Sequence, residues 1–504
     1  MPVFVGCDLG TMGTKAAVVD EDGAILGEAF EEVSLRHPRP GAVEQDLDEI
    51  EASAQRTIRA ALAASGRAAD VAAVAFSGQM SGIGTIDDGF RPATSFDSWL
   101  DTRCEPYIRA MSGRSELVTR LSGCPPTYSH GPKILWWRQE RPQDYAHIAR
   151  FVVAGAYVAG RLCGLSPGEA FIDRTYLHFS NLSDTAAAEW SPELLEAFEV
   201  DDRVLPRIVD PLEIVGEVTR EGEAASGIPA GTPVAAGAGD QPAASLGAGV
   251  VDPGQAFDSA GTASVFAMCV DRFAPDVAQQ TLLASHSVIE GVFIALAFIN
   301  GGGLALRWFR DDVAHGLAGD PDAYATLDRQ AEDVEPGAGG LLWYPHIQGG
   351  VLPPRPHARA AWVGLTSGHT QGDLFRAILE GIAYEYAKWA QRVRADGAGL
   401  HEARALGGGA RSRLWNSIKA DVLGVDWVPT VRQECGVLGD ALIAAAATGH
   451  VRDLAAAAKA WQETAEPVHP HPERHERYRK LLVAYRELGE QLAPVFERLN
   501  EADT

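Results

Sequence analysis

Cysteine is scarce in this chain, and none of it is spaced to bridge or to bind metal. Six residues (Cys7, Cys104, Cys124, Cys163, Cys269, Cys435) are scattered over 504 positions with no Cys-x-x-Cys pair. That excludes a disulfide frame and a zinc knuckle and fits reduced thiols in a cytoplasm. Positive charge is also short: 43 Lys and Arg stand against 68 Asp and Glu, a net charge of −25. Such a surface repels phosphate backbones and anionic lipids, so neither nucleic acid nor membrane is an expected partner. Long apolar runs are missing too; none reaches the ~18 residues of a membrane span. The opening MPVFVGCDLG lacks a basic segment and meets Asp8 at once, so it does not read as a signal peptide. The expectation is a soluble, cytoplasmic protein.

What the chain does have is length and apolar content. At 46% hydrophobic over 504 residues it can bury large cores, and ~150 residues per domain suggests two to four domains. Residues 3–7, 15–19 and 24–30 read as a three-strand meander around the turns DLGTMGT and DEDG. Residues 47–65 have helical spacing and 71–76 form a buried-strand run. A second strand–turn–strand pattern spans 255–271, followed by a strand candidate at 291–299. Asp8-Leu9-Gly10-Thr11 lines up with Ser259-Ala260-Gly261-Thr262, as if each half opened with the same hairpin. The break between halves falls near 250–254, where Pro and Gly follow an Ala/Gly tract. Residues 374–394 and 439–447 read as buried helices. Tyr478, Leu481, Leu482, Tyr485, Leu488 and Leu492 make a helical stripe, most simply a closing helix.

Three groups of residues carry chemistry. Asp240 lies in AGAGDQPAASLGAG (236–249), a carboxylate among residues too small to screen it from a ligand. It can also cap a helix over 241–246, and the two roles are compatible. GCDLGTMGTK (6–15) and FDSAGTAS (257–264) are two glycine–threonine turns that suit phosphate. Gly10, Gly13 and Gly261 let backbone approach, Thr11, Thr14 and Thr262 offer hydroxyls, and Lys15 is a cation. Asp8 can hold Mg²⁺ through water. Neither turn is a Walker A loop, because GxxxxGK[ST] is absent and the first turn leads into a strand. The glycine runs INGGG (299–303) and LGGGARSRLWN (406–416) suit walls of an adenine pocket, or else tight helix–strand packing. Possible polyhydroxy contacts are SGQMSG (77–82), SWLDTR (98–103) and TYSHGPKILWW (127–137). Their plainer readings are a surface ion pair for Asp101–Arg103 and core packing for Trp99, Trp136 and Trp137. The histidines, His130 among them, have no metal spacing.

Taken together, these pieces resemble the FGGY family of carbohydrate kinases, within the actin-like ATPase superfamily. In AAWVGLTSGHTQGDLFRAILE (360–380), Gly364, Leu365, Asp373, Leu374, Ala377 and Glu380 fall where the family's C-terminal signature has them. Tyr128, Lys133, Ile134, Trp136 and Glu140 match the N-terminal one, but His130 stands where Pro, Ser or Thr is usual and Trp137 where an aliphatic is usual. Asp440 in VLGDALIAA departs from the common Gly-Ala-Ala. SGQMSG resembles the SGQMHG of xylulose kinases, with Ser81 in place of their His.

The resemblance implies an α/β chain of two actin-like (ribonuclease H-like) domains with a central cleft. Residues 1–250 would bind sugar and 251–504 ATP. It implies Asp240 as catalytic base and Asp8 near Mg²⁺. Gly10, Thr11, Thr14, Lys15, Gly261 and Thr262 would serve the phosphates, and Gly302, Gly408, Gly409 and Asn416 the nucleoside. Gln79, Met80, Ser81, Trp99, Asp101, Arg103 and Tyr128 are the candidate sugar contacts. The expected reaction is ATP-dependent phosphorylation of a pentulose such as xylulose, or of another ketose or polyol of ribulose, glycerol or erythritol type. Two other classes compete, an actin-like ATPase scaffold and a non-catalytic sugar or ATP sensor. Neither needs Asp240 in a sugar site. A homodimer is left open.

Overall fold

Short runs of Val, Ala and Phe with buried faces on both sides start the first sheet. The computed structural model describes residues 1–503. Its strands Val3–Leu9, Gly13–Asp20 and Ile25–Glu32 form the expected antiparallel meander. Val71–Gly78 pairs in parallel with the free side of Val3–Leu9. The sheet then continues through Pro233–Ala235 to Ile214–Glu217, and Ala238–Gly239 pairs with the far end of Val71–Gly78. The helix Leu47–Ser65 covers the meander. Asp46 caps its first turn by accepting the Asp48 N–H, and Gly66 ends it in the left-handed region.

The same order recurs in the second half. Gln255–Ala260 and Ser264–Val270 are an antiparallel hairpin, with Phe293–Ile299 beyond it. Glu402–Leu406 lies parallel to Gln255–Ala260, and Asp426–Pro429 lies outside that. Each sheet therefore has a three-strand meander whose first strand is flanked by a parallel strand from much later in the chain. The duplication read from two four-residue turns is a duplication of topology.

The chain separates into two units. One holds residues 1–252, 271–294 and 434–462; the other holds 253–270, 295–433 and the chain from 463 on. The segment 434–462 thus leaves the second half to join the first unit. Its helix Cys435–Ala447 is apolar almost all round, which demands burial on every side. It lies against Val3–Leu9 and against the helix Asp240–Gly247. Backbone meets backbone there: a Cβ at Gly439 would strike the Ala243 carbonyl, and one at Gly247 the Cys435 carbonyl.

In the second unit the closing helix Pro472–Asp503 buries Tyr478, Leu482, Tyr485 and Phe496, with Leu481, Leu488 and Leu492 half-buried. The tyrosines are more than packing. Tyr478 donates to Glu380 at 2.7 Å and Tyr485 to Glu385 at 2.9 Å, both on the helix Gln371–Ala395.

Gly439→Ala tests the backbone contact. Alanine normally favours a helix by about 1 kcal/mol over glycine, but overpacking against a fixed carbonyl costs about 1–3 kcal/mol. Urea unfolding of the first unit should therefore shift to lower denaturant. Gly168→Ala, in the same unit, where an added Cβ would meet nothing closer than 3.9 Å, should not lower it. Equal or higher stability in Gly439→Ala would contradict the contact.

Candidate active site

Three adjacent parallel strands end side by side in the first unit. Asp8 lies beside Ser77 across one ladder, and Ala238 beside Ser77 across the other. Asp240 follows directly as the first residue of the helix Asp240–Gly247, with Gly239 at the cap position. The carboxyl ends of strands are where α/β sheets gather ligands. Tyr176 fixes two of these ends from below, its hydroxyl 2.9 Å from the Gly78 carbonyl and 3.3 Å from that of Ala238. Thr175 accepts the Gly239 N–H at 2.9 Å. Asp240 accepts the Gln241 N–H at 2.7 Å, and the Gln241 side chain bonds it as well. It is therefore not an N-cap in the sense of holding later amides, since Gln241 next to it is its one partner residue.

A third carboxyl joins them. Asp440, on the helix Cys435–Ala447, is fully buried, and one of its oxygens has no partner. Ser77 Oγ lies 2.8 Å from Asp440 Oδ2 and 3.4 Å from Asp8 Oδ1. Burial raises the Asp240 carboxyl to about 7, and the charge of Asp8 adds to the rise. Burial also raises Asp8, against the pull of Lys15 and Ser77. Asp440 is pushed well above the carboxylate range by burial and then by Asp8. Asp8 and Asp240 keep partial exposure and Asp440 none. The site is short of positive charge at the two carboxylates that solvent can reach.

The first glycine–threonine turn stands beside this cluster. Trp99 donates its indole N–H to Thr11 Oγ1 at 2.8 Å, and Gln45 donates to the Thr11 carbonyl at 3.3 Å. Gln79 donates to Gln45 at 2.6 Å, which links the 77–82 loop to the turn. Met80 lies over Gly239: a Cβ there would meet the Met80 methyl at 2.6 Å. The loop expected to touch sugar therefore packs one residue from Asp240. Thr14 does not reach the turn surface. Strand alternation points it inward, where it is buried and bonds Ser53. Lys15 is not a free cation, because Glu434 pairs with it at 2.5 Å.

Asp101 and Arg103 form no surface pair. Arg103 binds Asp97 at 2.6 Å, Asp101 at 2.8 Å and Glu44 at 2.7 Å and lies 4.6 Å from the Trp136 ring centre. Its side chain is 6% exposed. The fork is complete, so these two residues brace the loop rather than offer groups to a ligand. Gln79 and Met80 are also buried, whereas Ser81, Trp99 and Tyr128 keep exposed surface. Ser81 donates its hydroxyl to the Tyr128 carbonyl at 2.8 Å.

In the second unit, Ser259 pairs with Leu406, so the Gly261–Thr262 turn and the 407–409 glycines emerge from neighbouring strands. Gly261, Thr262 and Gly408 are exposed, and an added Cβ at Gly408 would meet nothing within 4 Å. Gly302 and Gly303 lack side chains for a packing reason: a Cβ would strike Ser264 at the first and the Gly261 carbonyl at the second. Gly303 and Leu304 donate to the Gly261 and Thr262 carbonyls at 3.1 and 3.0 Å. Gly409 is close to Ala260 and Trp415. Asn416 holds the Ala410 carbonyl at 2.8 Å, and its own buried oxygen has no partner. Exposed Arg307 comes within 3.5 Å of the Thr262 hydroxyl.

Sequence reasoning did not single out Ser77, Glu434 or Arg307, and it noted Asp440 only as a departure. Arg307 alone carried a local signal, as a cation one helical turn beyond a glycine run. The other three contacts join residues far apart in the chain. Asp240 supplies a test by stability. Its carboxyl is raised in the folded protein, so the folded state binds the proton more tightly than the unfolded chain does. Stability from this group is complete at low pH and falls as pH rises from about 4 through about 7. Asp240→Asn should therefore unfold at a higher temperature than the unaltered protein at pH 8, with the difference shrinking by pH 5. A lower midpoint at pH 8 would contradict a carboxylate short of compensation.

Comparison with known proteins shows the family and the fold. The model of the N-terminal domain of the FGGY family of carbohydrate kinases matches residues 3–247, and that of its C-terminal domain residues 257–448. A xylulose kinase of Escherichia coli (strain K12) is 27% identical over 499 residues, 98% of this chain and 100% of that one. A gluconokinase of Bacillus subtilis (strain 168) is 26% identical over 463 residues, 89% of this chain and 88% of that one. The crystal structure of a xylulose kinase from Rhodospirillum rubrum matches at a TM-score of 0.89 and 26% identity, covering 98% of this chain and 99% of that one. With both domains of the family matched in order along most of its length, the chain is a member of the FGGY family of carbohydrate kinases.

Proposed function

We propose that this kinase moves the γ-phosphate of ATP to a hydroxyl of a small sugar, with a pentulose such as xylulose as the first acceptor to test. The observation that carries the proposal is Asp240. It is a partly exposed carboxylate at a strand end, raised by burial to about 7 and bonded through Gln241, and the 77–82 loop packs on its neighbour Gly239. A base that titrates near the working pH is matched to taking a proton from an alcohol. Relatives named for gluconate and xylulose keep other small polyhydroxy acceptors, glycerol among them, in the panel.

The residues fit Mg²⁺ and ATP on the chemistry of the donors. Asp8 is a carboxylate short of positive charge, because Lys15 is already paired with Glu434. Among the described residues no group of three or more His, Cys, Asp or Glu could hold a metal. That agrees with a cation held by one carboxylate, water and phosphate, as Mg²⁺ usually is. The open backbone at Gly408 and the unpartnered Asn416 oxygen suit a nucleoside, with Gly302 and Gly409 shaping the floor behind them. Bound Mg²⁺ would neutralise phosphate charge as phosphoryl transfer proceeds. Asp240 orients the acceptor hydroxyl and takes its proton as that oxygen bonds to the γ-phosphorus and the bond to the β–γ bridging oxygen breaks, with ADP as the leaving group. Thr11, Gly261 and Thr262 present amides and hydroxyls to phosphate oxygens, while Gly10 closes the first turn by donating its N–H to the Gly13 carbonyl at 3.0 Å. Trp99 and Tyr128 give exposed aromatic surface to the acceptor, and Ser81 keeps its lone pairs available.

An ADP-release assay over xylulose, ribulose, gluconate, erythritol and glycerol tests the proposal. Acceptor-dependent ADP release supports it, whereas ATP turnover indifferent to every acceptor points to a scaffold or sensor. Asp240→Asn should lower turnover by roughly 10²–10⁴-fold and leave the KM for ATP nearly unchanged. A variant keeping a third of the activity would remove Asp240 from the mechanism. Arg307→Ala should raise the KM for ATP about tenfold, about 1.4 kcal/mol, because a charge-assisted bond to phosphate is lost. The KM for the sugar should not move. A rise confined to the sugar would count against Arg307 at the phosphates.

A further inference from the structure

The two loops carrying six of the seven candidate sugar contacts share one support beyond their own bonds. The backbone of each is tied from behind to the first turn of one helix, His130–Glu140. His130 Nε2 lies 2.7 Å from the Met80 carbonyl. Lys133 Nζ donates to the Ser81 carbonyl and to the Ser98 carbonyl, each at 2.8 Å. One turn of helix thus holds consecutive carbonyls of the 77–82 loop and the carbonyl just before Trp99. Both side chains are 1% exposed, so neither touches an acceptor.

The chemistry of the His130 contact is fixed by its partner. A carbonyl only accepts, so Nε2 must carry the hydrogen. Burial lowers the ring to about 3, which keeps the imidazole neutral with a single N–H, and the backbone of Gly82 in the same loop bonds the ring as well as that of Met80. That N–H goes to Met80, the residue seated on Gly239 beside Asp240. Any slip of the Met80 carbonyl moves both the floor next to Asp240 and the partly exposed Ser81.

We propose that His130 is a positioning residue for acceptor choice, setting the 77–82 loop through the Met80 carbonyl while Lys133 locks the same loop to the segment before Trp99. The inference rests on the sugar-kinase reading above. It places a determinant of specificity behind the pocket wall, on a residue that no sugar meets. A shift of about 1 Å in a positioning element can change rates by on the order of 10²-fold. Acceptors of different length feel such a shift unequally.

Two near-isosteric variants separate positioning from mere packing. Glutamine puts an amide nitrogen close to where Nε2 stands, and asparagine puts it near Nδ1, short of the Met80 carbonyl. The readout is the ratio of kcat/KM for the best acceptor of the panel over the next best. His130→Asn should change this ratio by at least about tenfold, and His130→Gln should stay within about threefold of the unaltered enzyme. The KM for ATP should hold in both. If His130→Asn does not fold, His130→Ser takes its place, since serine likewise cannot reach the carbonyl. A folded Asn or Ser variant with an unchanged ratio overturns the inference. So does a changed ratio that Gln shares, because the N–H would then not be what matters. If the unaltered enzyme phosphorylates no acceptor, the sugar-kinase reading itself has failed. If it does and only the ratio is unmoved, this inference alone has failed.

Discussion

The first unit depends on one close approach of backbones. Helix Asp240–Gly247 and helix Cys435–Ala447 touch through Gly247 and Gly439, and Gly6 lets the second helix lie on the strand Val3–Leu9. A Cβ at Gly6 would strike the Val437 carbonyl and lie 3.0 Å from Asp440 Cβ. Three carboxylates are set by this contact. Asp8 is on the strand, Asp240 starts one helix and Asp440 sits in the middle of the other. Widening the contact by one methyl would displace all three together, since packed interiors transmit strain rather than absorb it.

Charge compensation is thin at the site. Buried ions elsewhere gather close partners, although Glu380 keeps one oxygen without a partner and burial raises Asp97 and Asp173 to about 7 as well. Arg103 meets three carboxylates, Lys419 pairs with Asp258, which also accepts from Tyr386, and Arg376 and Tyr478 both bond Glu380. At Asp8, Asp240 and Asp440 the partners run out. One serine hydroxyl lies between two carboxyls, and the nearby lysine is held by Glu434. Leaving carboxylates uncompensated is costly to a folded chain and useful to an enzyme that binds a cation and removes a proton.

Much of this was legible in the sequence. The hairpins, the helix after the first meander and the closing stripe follow from local periodicity, and local periodicity survives folding. Asp240 stood out because its neighbours are too small to hide it. Other features were not legible, for separable reasons. Thr14 and Lys15 looked alike as phosphate donors, yet strand alternation buries one against Ser53, and a glutamate 419 positions away neutralises the other. Asp101 and Arg103 read as sugar contacts, or else as a surface pair, because Glu44, which completes their burial, comes from 59 positions away. The return of 434–462 to the first unit had no local signal beyond a helix with no polar face. The glycines at 302 and 303 are explained by the turn they pack on, and no pattern in their own segment names that turn.

The most direct test of the account is the pH dependence of kcat/KM for the best acceptor, measured with saturating Mg²⁺ and ATP. That quantity reports the ionisation of the enzyme before it meets the sugar. If Asp240 is the base, kcat/KM falls tenfold for each pH unit below its pKa and levels off above it. Burial holds that pKa above the usual carboxylate range, while a cation at Asp8 removes part of the rise. A profile that stays flat from pH 4 to 8 would contradict the account.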